Sequence, residues 1–218
     1  MKCDKGFTLV ELLVSVGIAG VVITGIFGVY NSQQKSYAKQ EQITAMQQNL
    51  RAAMYIMERE IRMVGHNPTR TAGAGIQTAN ANSIRFTMDI TGGFTDGFDN
   101  DGDGSVDNAE EVNFGNGKTT ESNEDMTYSL YTADGIKKLG RKTGSGNNKP
   151  VAENIESLEF LYLDGTGSTL DDDGNGNVVA SRPLIRSIEI TLGAKAAKDD
   201  KIPNKTLTTR VKCRNLGL

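Results

Sequence analysis

Residues 1–30 read MKCDKGFTLVELLVSVGIAGVVITGIFGVY, and this stretch decides what the rest of the chain has to be. Residues 1–6 are polar, with Lys2 and Lys5 among them, whereas residues 7–30 are almost wholly apolar. About 20 helical residues cross the hydrocarbon core of a bilayer, so this run is long enough to span one. The two lysines favour an N-terminus left in the cytoplasm and a following body outside it. A secretory signal would end in small residues of A-x-A type, yet the apolar run ends as GIFGVYNSQQ, which speaks for its retention. Glu11 stands near the start of the run, where a carboxylate is costly unless it is paired or near the interface, and it is therefore a candidate functional residue.

Working outward, the helical period outlasts the apolar character. Ile43, Met46, Leu50, Ala53, Met57, Ile61 and Val64 recur at three- and four-residue steps among Gln, Lys, Arg and Glu, which is one apolar stripe. No proline occurs before Pro68, so residues 7–64 are expected to form one nearly continuous helix, roughly 85–90 Å long at its 1.5 Å rise. Gly17, Gly20, Gly25 and Gly28 loosen its first half and permit close helix approach. Gly65 and Pro68 stop it and leave His66 as a surface residue at its end. Beyond lie alternating or apolar runs at 83–90, 126–133, 157–163, 184–193 and 206–214, separated by Gly, Asn and Asp clusters, with a helical turn expected at 151–155. The expected fold is α+β: a long N-terminal helix, membrane-spanning in its first half and amphipathic in its second, packed on an antiparallel sheet.

The formal charge of −3 provides no positive field for nucleic acid, and a nucleic-acid partner is not expected. Cys213 would be the only thiol left if residues 1–6 were removed, so no internal disulfide is expected, and Cys213 reads as a small buried hydrophobe. With His66 as the only imidazole and no nucleophile and base placed together, an enzyme is not expected.

Between Asp96 and Asp125 stand ten Asp or Glu residues against Lys118 alone. Within this segment residues 99–110, DNDGDGSVDNAE, match a twelve-position EF-type loop: Asp99, Asp101, Asp103 and Asp107 at positions one, three, five and nine, Gly104 at six, and Glu110 at twelve. Alternate residues of a tight loop aim at one cation, Ser105 offers its carbonyl, and Glu110 closes the shell with both oxygens, so structural calcium is the expected cofactor. Flanking Gly-rich turns argue for the loop without the paired helices. A second run, DDDGNGN over 171–177, repeats half the pattern through Asp171, Asp173 and Asn175 but has Arg182 at its twelfth position, and is a weaker metal candidate.

The string Gly6-Phe7-Thr8-Leu9-Val10-Glu11-Leu12 resembles the processing and methylation motif of type IV prepilins and type II secretion pseudopilins. The resemblance implies cleavage between Gly6 and Phe7 by a prepilin peptidase, N-methylation of Phe7, and retention of the helix as an assembly element. Under that reading Glu11 neutralises the new amine of Phe7 on its own or a neighbouring subunit. Residues 49–53 (NLRAA), 57–65 (MEREIRMVG), 153–160 (ENIESLEF), 185–192 (IRSIEITL) and 210–216 (RVKCRNL) are similar to PilW-type minor pilins, whose layout the J-type pseudopilins share. This divides the chain into a leader (1–6), a transmembrane and assembly helix (7–30), its amphipathic continuation (31–66) and a β-rich head (67–218). The implied partners are the prepilin peptidase, other pilin or minor pilin subunits, and the inner membrane before assembly into a pilus or pseudopilus. The implied role is assembly initiation or tip structure, with a J-type pseudopilin or a calcium-dependent tip adhesin as alternatives.

Overall fold

The computed structural model describes residues 6–93, 97, 99, 103–121, 123–197 and 201–217. The leader residues 1–5 and Asp101 lie outside them. One helix, α1 (Leu9–Arg62), is followed by nine strands among the described residues. The chain divides into two compact units, Met1–Thr44 and Ala45–Leu218.

In the first unit every described residue up to Glu41 is exposed, and an 18-residue window of the helix reaches a mean hydropathy of 2.4 with none of it buried. An apolar surface of this length suits lipid or other helices rather than water. Two hydroxyls of the apolar run bond back to the helix: Ser15 Oγ donates to the Glu11 carbonyl at 2.7 Å and Thr24 Oγ1 to the Gly20 carbonyl at 2.8 Å. Such back-bonding satisfies a hydroxyl where no water is available.

In the second unit the apolar stripe of α1 packs on antiparallel sheets. Met46, Leu50, Ala53, Met57, Ile61 and Val64 are buried as their spacing requires, and Met54 joins them. After Arg62 the chain tightens, with His66 N donating to the Met63 carbonyl, and Gly65 adopts φ +76. A side chain there would be strained, and its Cβ would lie 2.7 Å from Leu216 Cδ2. Gly65 N then donates to the Thr87 carbonyl, delivering the chain to the end of the strand that closes at Thr87.

The strands form two sheets rather than the one expected. The first orders β1 (Ile76–Asn80), β2 (Ser83–Thr87), β3 (Asp125–Ala133), β4 (Ile136–Thr143) and β5 (Lys149–Glu153) as an antiparallel meander. The second orders β7 (Thr169–Leu170), β6 (Ile155–Leu163), β8 (Ser187–Ala194) and β9 (Lys205–Lys212), also antiparallel. The helical turn expected at 151–155 is not formed: Asn154, at φ +59, is the kink between β5 and β6, a conformation Asn tolerates better than most residues. Alternation buries Ile84, Phe86, Met126, Tyr128 and Leu139 from the first sheet and Leu158, Phe160, Tyr162, Ile188, Ile190 and Val211 from the second. The sheets are joined where Phe160 N donates to the Ala81 carbonyl at 2.7 Å and the Tyr162 hydroxyl to the Asn80 carbonyl at 2.8 Å.

A polar clamp crosses this apolar layer. Tyr128 and Arg141 face each other on β3 and β4, and both reach Glu60 of α1. Arg141 Nε donates to both Glu60 oxygens at 3.0 Å, and the Tyr128 hydroxyl makes a short hydrogen bond to Glu60 Oε2. Burial, and then the charge of Glu60, push the Tyr128 phenol above its ordinary range, so it stays a neutral donor.

Candidate functional site

At the N-terminus, Phe7 is exposed and Thr8 precedes the first helical residue, Leu9. Thr8 N and Thr8 Oγ1 both donate to Glu11 Oε2 at 2.9 Å, and Glu11 N donates to Thr8 Oγ1 at 3.3 Å. This is a reciprocal capping box: the third helical residue reaches back to the N-cap while the N-cap side chain takes a free helix N–H. The carboxylate therefore sits at the positive end of the helix dipole, held by the N–H and hydroxyl of Thr8, one residue after Phe7. Thr-x-x-Glu before an apolar run is the local sequence signal of such a box.

In the acidic segment the described candidates are mostly engaged with backbone. Asp99 Oδ2 accepts from Gly104 N at 2.9 Å, Asp103 Oδ1 from Ser105 N at 2.7 Å, and Asp107 Oδ1 from Gly97 N at 2.9 Å. Gly104 has φ +90 and Asp107 φ +55, so the chain reverses sharply at both. Glu110 is exposed on a short 3₁₀ helix, Ala109–Asn113, capped by a second reciprocal box between Asn108 and Glu111. Among the described residues no group of three or more Asp, Glu, His or Cys side chains gathers to hold a metal.

Sequence reasoning missed the carboxylates that fasten this segment to the head. Asp89 and Glu124 are fully buried. Asp89 accepts from Asn116 N at 2.8 Å, Gly117 N at 3.0 Å and Thr69 Oγ1 at 3.2 Å. Glu124 Oε1 takes Ile90 N, Thr91 N and Thr91 Oγ1 at 2.8–2.9 Å. A buried carboxylate is stable when several N–H groups converge on it, so these two staple both ends of the loop. Burial, and then its hydrogen bond to Glu121, push the Glu124 carboxyl up. Glu121, which its own burial would raise, is instead brought down to about 2 by hydrogen bonds from Glu124 and Asn116. Nothing in the local sequence separated these acids from their solvated neighbours.

The second acidic run is a self-contained turn. Asp173 accepts from the Asn177 side chain at 2.6 Å and from Asn175 N at 2.8 Å, and these bonds hold its carboxyl at about 2. Asp171 Oδ1 accepts from Gly174 N at 2.8 Å, and Asn175 Nδ2 donates to the Asp173 carbonyl at 3.3 Å. Asp172, which the ligand spacing did not single out, accepts from Val179 N, Ser181 N and Ser181 Oγ and is held below the usual carboxylate range, first by the Ser181 hydroxyl. The turn delivers Val178 N to the Ala79 carbonyl on the open edge of β1. Burial pushes the Cys213 thiol up to about 12, so it carries no thiolate at neutral pH.

A long apolar N-terminal helix that continues onto antiparallel sheets is an α+β, pilin-like arrangement. The model of the prokaryotic N-terminal methylation motif matches residues 1–27, which carry the Gly6-Phe7 junction and Glu11. No curated protein matches the chain. The chain thus carries a type IV pilin-like prepilin signal. That motif supports the type IV pilin or pseudopilin class, implying processing by a prepilin peptidase and assembly with other pilins.

Proposed function

We propose that the protein is a minor pilin of a type IV pilus, cut between Gly6 and Phe7 and acting in assembly initiation or at the filament tip. The observation that carries this is the methylation motif over residues 1–27 leading into a helix whose first turn bonds the Glu11 carboxylate to the N–H of Thr8, the residue after Phe7. Cleavage makes a cationic amine at Phe7 that must enter an apolar filament core. A carboxylate positioned one turn away neutralises it, in the same subunit or the next. The similarity of segments 49–53, 57–65, 153–160, 185–192 and 210–216 to PilW-type minor pilins supports the minor role. The same motif serves a J-type pseudopilin, and the partner subunits recovered from detergent extracts separate the two systems.

Intact mass of the native protein tests the processing: it should begin at Phe7 with one added methyl group. Glu11→Ala should still be cleaved but fail to enter filaments. A product that retains Met1, or normal filaments containing the variant, would overturn the assignment.

The proposal extends to structural calcium in loop 99–110, bound by Asp99, Asp101, Asp103, the Ser105 carbonyl, Asp107 and Glu110. The spacing of the oxygen ligands and the positive φ of Gly104 at position six support it.

A further inference from the structure

Five non-glycine residues have φ between +55 and +69 among the described residues: Arg70, Asp107, Asn123, Asp134 and Asn154. Four are Asp or Asn, whose short polar side chains make the left-handed conformation tolerable. Arg70, at φ +60, has no such compensation, and the conformation costs on the order of 1 kcal/mol that glycine would avoid. Its backbone is held by its N–H donating to the Asn67 carbonyl at 3.2 Å, a bond that glycine could make equally well. Local folding therefore does not explain an arginine here.

The surroundings do. Arg70 lines an open cleft of about 630 Å³ whose walls are the turn after α1 and the C-terminal turn of Asn215 and Leu216. Gly65 forms part of that wall, and its lack of a side chain lets Leu216 approach. His66 lines the same cleft, and no acidic side chain is among its lining residues. Among the described residues neither the Arg70 guanidinium nor the His66 imidazole has a hydrogen-bond or ion-pair partner. Arg182, in the neighbouring cleft, differs in this respect: its guanidinium is committed to the Gln77 and Val179 carbonyls.

We propose that the cleft between residues 65–70 and the C-terminal turn is an anion-binding site, in which Arg70 and His66 hold the carboxylate or phosphate group of a ligand of mono- to disaccharide size. Arg70 and His66 both line a space of ligand dimensions without a side-chain partner among the described residues, and pockets of roughly 300–1,000 Å³ with a few convergent polar groups are the usual form of such sites. A planar guanidinium matches either anion in a two-pronged fashion. The site is independent of the pilin reading, since none of its residues belongs to the prepilin signal.

The test uses the full chain in detergent, titrated with glucuronate, glucose 6-phosphate and neutral glucose, with binding followed by calorimetry. At least one of the two acidic sugars should bind and glucose should not; the stronger of the two identifies the anion. Arg70→Gly should weaken that binding by about tenfold or more, as loss of a charge-assisted hydrogen bond does. It should leave the melting temperature unchanged or higher, because glycine adopts the same φ without strain. His66→Gln should weaken binding several-fold with the fold intact. Absence of binding by both acidic sugars, equal binding of glucose, binding untouched by Arg70→Gly, or a lower melting temperature in that variant would overturn the proposal.

Discussion

Replacing Arg141 by Met removes the guanidinium of the helix-to-sheet clamp while keeping most of its apolar stem. Glu60 then remains facing the sheet with Tyr128 as its donor. Breaking a fully buried ion pair by deleting one partner destabilises by about 3–5 kcal/mol. Here the side chains are 19% and 13% exposed, so solvent screening brings the cost to the lower end of that range and below it, about 2–3 kcal/mol. For a unit of this size each kcal/mol moves the midpoint by about 2–4 °C, giving a loss of about 4–12 °C. Thermal melting of the full chain in detergent, followed by near-ultraviolet circular dichroism of the tyrosines, measures it. Glu60→Leu should destabilise similarly. The double variant Glu60→Leu with Arg141→Met should fall well short of the sum, with a coupling of about 1–2 kcal/mol, because neither charge is then stranded. Additivity within about 0.5 kcal/mol would refute the clamp as a coupled unit. Tyr128 adds a pH signature. Its folded-state pKa is raised above the unfolded value of about 10, so its contribution is complete below that pH and is lost as the pH climbs beyond it. Alkaline melting should therefore be steeper in the parent than in Tyr128→Phe.

Calcium should raise the melting midpoint of the parent chain, by an amount equivalent to about 2.7 kcal/mol when free calcium is a hundred times the dissociation constant. Magnesium should do so poorly, and the gain should shrink in Asp101→Ala and Glu110→Gln; an unchanged parent at about 1 mM calcium, the range of weak extracellular sites, would count against the loop. Asp173 should titrate near 2 by carboxyl nuclear magnetic resonance. Its depressed pKa means that the order of turn 171–177 is complete above the ordinary carboxylate range and is lost as the pH falls towards 2, which amide exchange at Asn175 and Asn177 reads out. Titration of Asp173 near 4 would refute the hydrogen-bonded turn.

The parts of this protein that are legible in one dimension are those whose partners lie within a few residues. The prepilin signal is a contiguous string, the span of α1 follows from its unbroken period, and its buried face follows from three- and four-residue steps, so that Met46 to Val64 could be named in advance. The strands β2, β3, β6, β8 and β9 show the same directness, because alternation is local. β4 was hidden by its composition, IKKLGRKT, and β5 by Pro150, which only an edge strand admits. What the tertiary structure alone decided are pairings across long stretches of chain: Glu60 with Arg141, Asp89 with Asn116 and Gly117, and Phe160 with Ala81. Sequence showed ten acids between Asp96 and Asp125, but not that Glu111 and Glu124 are buried while Glu110 is exposed. The physical reason is that a carboxylate's role depends on which N–H groups converge on it, and those groups are brought together by the path of the backbone rather than by neighbours in the chain. The cleft around Arg70 belongs to the same class, since its two walls meet only when residues 65–70 and 215–217 close on each other.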